Sequence, residues 1–282
     1  MSRQPPATLL LVNSASGTRA QQRSVEDALR RGFPRAAMLD FEPGLDFRQL
    51  VRPGGRLIVA GGDGTVGAVA RALVGSDVAL GIVALGTYNN FARSLGLPLE
   101  LDAAVAALEG ARAQGITLGC VGDQIFLEAA ALGFFGAALV LGETAKEKAF
   151  GDLVRRWREV TGAQGFDFEL KGDVEGSGRA LSLVFANTPS TGARLQLSSK
   201  RPTMPHLELS VQVGRTRTDV VRRAIEAMAG TQASAPISLR FRRLEITTRP
   251  KVAVYADDRR IGRTPVVVSA RPNALRVLLP AK

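Results

Sequence analysis

Leu57-Ile58-Val59-Ala60-Gly61-Gly62-Asp63-Gly64-Thr65, followed by Val66-Gly67-Ala68-Val69-Ala70-Arg71-Ala72-Leu73, reads as a strand that breaks at two glycines, passes one carboxylate and resumes with helical spacing. That order predicts a loop delivering the chain to a helix N-terminus, where aligned peptide dipoles and unpaired N–H groups favour an anion. Glycines let successive N–H groups converge on one point with no Cβ in the way. The stretch is therefore expected to cradle phosphate. The same residues also fit a tight turn in which Asp63 or Thr65 caps the helix; a position directly after a strand favours the cradle.

Outward from this loop the first hundred residues alternate. Strands are predicted at Thr8–Val12, Ala36–Phe41, Arg56–Ala60 and Val78–Ala84, and helices at Gln21–Arg31, Val66–Val74, Asn90–Leu95 and Leu101–Glu109. Alternating buried strands and helices imply an α/β layered domain with a mostly parallel sheet. Ligands of such sheets bind beyond the carboxyl ends of the strands, where the loops after Val12, Ala60 and Ala84 fall.

From Ile116 the texture changes to short apolar runs separated by Gly, Pro and charge: Ile116–Val121, Gln124–Ala130, Phe166–Leu170, Leu181–Ala186, Leu207–Val213, Ile237–Arg242, Leu244–Thr248, Val252–Tyr255, Pro265–Ser269 and Leu275–Leu279. This predicts an antiparallel β-sandwich, interrupted by helices near Glu143–Val160 and Thr218–Met228. The boundary is placed near 112–119, giving an α/β domain over 1–115 and a sandwich over 116–282, with the last strand expected to pack back on the first domain. The cleft between two such domains is where two substrates are expected to meet.

Composition narrows the function. The single cysteine, Cys120, excludes an intrachain disulfide, a cysteine zinc cluster and a Cys-x-x-Cys redox pair, and points to a reducing, cytoplasmic setting. The opening Met-Ser-Arg-Gln-Pro-Pro lacks the apolar core of a signal peptide. The longest apolar stretch, Ala129–Gly142, is broken by glycines and falls short of the roughly 20 residues a membrane span needs. The formal charge is +11, and residues 119–282 hold 25 of the 37 basic residues against 16 of the 26 acids. Arg155-Arg156-Trp157-Arg158, Arg215/Arg217, Arg222-Arg223, Arg240/Arg242/Arg243 and Arg259-Arg260 would draw the protein to an anionic membrane surface. Aromatic residues make up only 5% of the chain, so the stacking platform of a nucleic-acid binder is not expected. The one histidine, His206, sits beside Pro205 with no accompanying Ser or Asp motif, which excludes a hydrolase triad.

Two further loops complete the picture: Leu11-Val12-Asn13-Ser14-Ala15-Ser16-Gly17, and Ala84-Leu85-Gly86-Thr87-Tyr88-Asn89-Asn90-Phe91-Ala92-Arg93. With Gly61–Thr65 they resemble the diacylglycerol kinase catalytic-domain family, which carries Asn-Pro-x-Ser-Gly, Gly-Gly-Asp-Gly-Thr and Gly-Thr-x-Asn-Asp-Phe-Ala in this order. Val254-Tyr255-Ala256-Asp257-Asp258-Arg259 resembles the family's Asp-Gly-Glu segment. The resemblance implies an ATP-dependent kinase, using Mg2+, that moves the γ-phosphoryl group to a lipid hydroxyl, diacylglycerol-like or long-chain base, peripherally at the membrane. It implies phosphate-holding roles for Asn13, Ser14, Ala15, Ser16, Gly17, Gly61, Gly62, Gly64, Thr65, Thr87 and Asn89. Asp63 and Asp257 are implied as catalytic carboxylates, and Asp63 and Glu208 as metal ligands.

Local readings stay open beside these. Asn13 also fits a turn, Thr87 and Asn89 fit helix capping, and Asp257-Asp258 fits a solvated turn. Four residues depart from the family pattern: Ser14 replaces Pro, Asn90 replaces Asp, Arg259 stands at the Glu of Asp-Gly-Glu, and Thr203-Met204-Pro205-His206-Leu207-Glu208 keeps one acid where a metal-holding Asp-Asp-Gly-Leu segment is usual. An arginine cannot accept a proton. A catalytically weak binding homologue is therefore one alternative, and an NAD kinase-like enzyme, which shares the Gly-Gly-Asp-Gly loop, is the other.

Overall fold

A computed structural model of the chain describes residues 5–14, 18–133, 135, 165–191, 195–212 and 238–281. It divides into two units, Met1–Ile116 with Asn273–Lys282, and Thr117–Pro272. The helices expected near Glu143–Val160 and Thr218–Met228 lie outside the described residues, as do the arginine clusters at 155–158, 215–217 and 222–223.

The first unit is built from β1 (Thr8–Val12), α1 (Arg19–Gly32), β2 (Ala37–Asp40), β3 (Arg56–Gly61), α2 (Asp63–Ala72), β4 (Ala79–Ala84), α3 (Asn90–Ser94) and α4 (Leu101–Glu109). The four strands pair in parallel in the order β2-β1-β3-β4. β3 and β4 are buried almost throughout, which is why they read as unbroken apolar runs rather than alternating ones. Val25, Ala28 and Leu29 of α1 and Ala104, Val105 and Leu108 of α4 share one core with Leu10, Ile58 and Val83 of the strands. Thr18 starts α1 with a capping box, its hydroxyl accepting from the Gln21 N–H while the Gln21 side chain accepts from the Thr18 N–H.

The second unit holds β5 (Arg112–Val121), β6 (Gln124–Phe126), β7 (Ala129–Gly133), β8 (Phe166–Gly172), β9 (Gly176–Ala180), β10 (Ser182–Ala186), β11 (Ser190–Thr191), β12 (Leu195–Gln196), β13 (Leu207–Gln212), β14 (Ser238–Phe241), β15 (Arg243–Arg249), β16 (Ala253–Ala256), β17 (Arg259–Arg263) and β18 (Val266–Leu279). β5 and β18 run across the division. Six antiparallel strands follow the order β14-β13-β10-β7-β16-β17, and β18-β15-β8-β9 form a second antiparallel run. Leu132, Leu183, Phe185, Leu209 and Val254 of the former pack with Phe166, Leu170, Leu244, Ile246 and Val268 of the latter, and Phe185 meets Phe241 edge to face at 5.8 Å. The fold class is the expected one, a parallel α/β unit and an antiparallel sandwich.

Several strand boundaries differ from expectation for identifiable reasons. Gln124–Ala130 is two strands, with Leu127 and Glu128 between them. β9 and β17 were not expected, being Gly-Ser-Gly-Arg-Ala and Arg-Arg-Ile-Gly-Arg. Both lie at a sheet edge, where exposure removes the need for an alternating apolar face and charge blocks further pairing. Pro265–Ser269 and Leu275–Leu279 belong to one strand, β18, whose Arg276 and Val277 pair in parallel with Ala79 and Leu80 of β4.

Phe185 is fully buried between the two sheet faces, so Phe185→Ala should destabilise the protein by about 3–5 kcal/mol, measured as a lowered urea midpoint with an unchanged m-value.

Candidate active site

Gly61 closes β3 and Gly62 is the N-cap of α2, so Asp63 is the first helical residue. Gly62 has no side chain to cap with, and no side-chain cap bond is made there. Gly64, in the first turn, is exposed. A Cβ on Gly61 would come within 2.8 Å of the Thr65 Cβ, so glycine is what lets the Thr65 side chain fold against the strand end. Thr65 is buried, and its hydroxyl accepts from the Asn13 Nδ2 at 2.7 Å. The Asn13 peptide N–H is donated to Ala60 O at 3.0 Å. Asn13 therefore joins the loop after β1 to the loop after β3.

The loop after β4 closes on the same helix end. The Gly86 N–H donates to Asn89 Oδ1 at 2.8 Å, and Asn89 Nδ2 donates back to Gly86 O at 2.8 Å. This pair folds the loop and holds Asn89 at a φ of +52°, in the left-handed region that asparagine tolerates. It leaves the Asn89 N–H aimed at Asp63 Oδ2, 2.9 Å away. A Cβ on Gly86 would sit 3.0 Å from the Gly62 Cα, so the two glycine loops touch backbone to backbone. Asn89 is the N-cap of α3 without using its side chain to cap it. Thr87 is exposed on this loop, and the Ser14 carbonyl accepts from the Gln22 side chain. Ala15, Ser16 and Gly17 lie outside the described residues.

Asp63 fits magnesium by donor chemistry: one oriented carboxylate beside an anion-favouring helix end is the protein share of a site that phosphate oxygens and water complete. Glu208 does not fit. Its carboxylate is buried and receives the Ser238 hydroxyl at 3.0 Å and the Ser199 N–H at 3.4 Å, with Arg240 Nε at 3.7 Å and His206 Nε2 at 4.0 Å. A metal needs lone pairs around it, and of these neighbours the Ser199 N–H and the Arg240 guanidinium offer none. Among the described residues no three His, Cys, Asp or Glu side chains gather as a metal site. Burial, then Lys200 and Arg240, push the His206 imidazole below its ordinary value, which accords with a structural place for it.

Asp257 and Asp258 form a turn, Asp257 half-buried and Asp258 exposed. Asp257 has a φ of +50° between β16 and β17; its carboxylate accepts from the N–H groups of Leu127 at 3.1 Å, Glu128 at 2.9 Å and Ala129 at 3.4 Å, and its own N–H donates to Ala129 O at 2.8 Å. The break between β6 and β7 exists in this form because those three amides turn toward one carboxylate. Arg259 reaches the same segment, donating from Nη2 to Ile125 O at 3.3 Å. From the other side Asn187 Nδ2 donates to Leu127 O at 2.8 Å and Thr117 O at 3.1 Å. Lys200, fully buried, holds Asn187 in turn through Oδ1 at 2.6 Å and O at 3.1 Å, and also donates to Arg201 O at 3.0 Å. Neither Lys200 nor Glu128 carries a local sequence signal; only the pairing of distant strands brings them together.

Residues 7–121 match the diacylglycerol kinase catalytic domain. A protein described as a probable YegS-like lipid kinase from Pseudomonas aeruginosa is 30% identical over 97% of this chain and 94% of its own length. The chain belongs to the diacylglycerol kinase catalytic-domain family. A crystal structure of a diacylglycerol kinase from Bacillus anthracis matches 99% of this chain and 98% of its own at a TM-score of 0.73 and 18% identity. An NAD kinase from Archaeoglobus fulgidus, solved in complex with ATP, matches 97% of this chain and 93% of its own at 0.53 and 14%. At those identities the two structures share a fold with it.

Within the family the departures now have places. Asn90 is buried at the start of α3. Arg259 opens the edge strand β17 and braces the segment that Asp257 clamps. A buried ammonium stands close to the remaining acid, Glu208, whose charge works against the loss of the Lys200 proton.

Burial pushes the Lys200 ammonium down to about 7. Between that value and the ordinary lysine range the unfolded chain binds a proton that the folded chain does not, so this residue's contribution to stability rises with pH across the window. The urea midpoint of the wild type relative to Lys200→Met should accordingly increase from pH 6.5 to pH 9.5 (assay conditions set roughly at the two ends of the window).

Proposed function

We propose that this protein is an ATP-dependent lipid kinase that transfers the γ-phosphoryl group to the hydroxyl of a diacylglycerol-like lipid or a long-chain base. The observation that carries the reading is the assembled rim: an uncapped helix start at Gly62, Asp63 oriented by the Asn89 N–H, and Asn13 fastened to Thr65. Phosphoryl transfer asks a protein chiefly to position the phosphates and offset their charge, and a helix N-terminus at the end of a strand favours such an anion.

In this reading the first-turn donors of α2 hold the phosphates, and Asn13, Thr65, Thr87 and Asn89 shape the loops around them. Asp63 would hold Mg2+, which when bound spreads the charge of the phosphoryl group being moved. Asp257 serves as a positioning residue, since its oxygens receive three peptide N–H groups. The exposed Arg240, Arg242, Arg243, Arg260 and Arg263 support attachment to an anionic bilayer from the cytoplasmic side, and no helix among the described residues is long and apolar enough to cross one.

Two readings compete on specific grounds. The likeness to an NAD kinase solved with ATP supports NAD as acceptor, and Arg259 in the place of a family glutamate supports binding with little turnover. With Mg-ATP and mixed micelles of diacylglycerol or sphingosine, the purified protein should yield phosphorylated lipid and no NADP from NAD. Asp63→Ala should lower that turnover by about 10²-fold or more, with the fold intact by circular dichroism. NADP formation, or ATP binding without any lipid product, would replace the proposal by the corresponding competitor.

A further inference from the structure

Arg93 is exposed on α3, yet it turns back on the loop that precedes the helix. Its Nε donates to Tyr88 O at 2.9 Å, and its peptide N–H donates to Asn89 O at 2.9 Å. The peptide groups on either side of Asn89 are therefore both held by one arginine. The Tyr88 carbonyl and the Asn89 N–H belong to a single planar peptide group, and that N–H donates to Asp63 Oδ2 at 2.9 Å. Carbonyl and N–H of a trans peptide point in opposite directions, so a guanidinium on the oxygen fixes the direction of the hydrogen. All of these residues lie in the first unit.

That direction has to be held. Asn89 stands at a φ of +52°, a conformation that an L residue adopts at a cost. Half a turn of the Tyr88–Asn89 peptide would return φ to the negative range, which the intrinsic preference favours, and would aim a carbonyl rather than an N–H at the Asp63 carboxylate. The bonds between the Asn89 side chain and Gly86 fix the side chain, but not the plane of the peptide before it. A hydrogen bond from a charged donor to the carbonyl does fix that plane, and such bonds are about twice as strong as neutral ones. Arg93 lies one helical turn beyond Asn89, so its side chain reaches the carbonyl without leaving its own helix.

We propose that Arg93 is a positioning residue for the nucleotide site: by holding the Tyr88–Asn89 peptide it keeps the Asn89 N–H on one Asp63 oxygen, and so sets the orientation in which that carboxylate meets Mg2+ carried by ATP. The inference rests on the kinase reading, in which Asp63 is the magnesium-holding acid. Its effect passes through Asp63 and not through a contact of Arg93 with phosphate.

Isothermal titration calorimetry on the full chain compares Mg·ATP with ATP in EDTA, for wild type, Arg93→Met, Arg93→Lys, and Arg93→Met in an Asp63→Asn background. Arg93→Met should weaken Mg·ATP by about 10-fold or more and leave ATP in EDTA within about twofold. Arg93→Lys, which restores a charged donor without the planar fork, should recover part of that loss. In the Asp63→Asn background Arg93→Met should change Mg·ATP affinity by less than about twofold, because residues that act through one another do not add. The Asn89 amide, followed by hydrogen exchange, should exchange about 10-fold faster in Arg93→Met than in wild type. Wild-type Mg·ATP affinity in Arg93→Met, an equal loss with and without metal, a loss undiminished by Asp63→Asn, or an unchanged Asn89 exchange rate each overturns the inference and leaves the kinase reading standing. Should Arg93→Met fail to fold, wild-type Mg·ATP affinity in Arg93→Lys overturns it equally. A wild type that binds no Mg·ATP removes the kinase reading, and this inference falls with it.

Discussion

The Asn89 N–H donates to Asp63 Oδ2 at 2.9 Å, and the arrangement of the first unit's functional rim follows from what that bond requires. The loop after β4 must return to the start of α2, so Gly86 has to pass Gly62 at backbone contact distance. Asn89 must take a positive φ, and its side chain secures that conformation through Gly86. The carboxylate so oriented stands at the positive end of a helix dipole, where a negative group is stabilised and where a phosphate chain would add more negative charge. A single acid held in one orientation suits a site shared with a metal ion and phosphate oxygens, since those bring the remaining ligands themselves.

The second unit solves a different problem. Its segment Leu127–Ala129 is an interruption between two strands rather than a loop at a sheet end, and an interruption leaves amides without ladder partners. Asp257 supplies the acceptor for three of them, and Asn187 supplies the donor for the Leu127 carbonyl. Asn187 is itself held by an ammonium with three oxygen acceptors. Burying such a charge costs free energy unless its hydrogen bonds are made, and here all three are made. Lys200 and Glu208 thus stand as an internal cation and anion in a region where the family resemblance had suggested a metal.

Family membership and departure from the family pattern are reconciled by where the departures fall. The loops that would meet phosphate are retained in residue type and order, Ser14 and Asn90 apart. Arg259, Asn90 and the 203–208 segment change charges at places that touch protein instead: Arg259 binds a peptide carbonyl, Asn90 is buried at a helix start, and Glu208 is ringed by donors.

The linear order of residues determined the layered architecture, because strand burial, helix periodicity and glycine placement are local properties of short windows. The runs at Leu57–Ala60 and Ala79–Ala84 read as doubly covered strands, and Gly61–Thr65 and Gly86–Asn89 read as phosphate loops, since close backbone approach demands glycine at fixed positions. Edge strands β9 and β17 were not legible, because an exposed edge places no apolar demand on its residues. Only the tertiary structure decided the surroundings of Asp257, Lys200 and Glu128. Each is held by partners 13 to 130 residues away in the chain, and hydrogen bonds across that separation depend on strand pairing and register, which no local window of sequence contains.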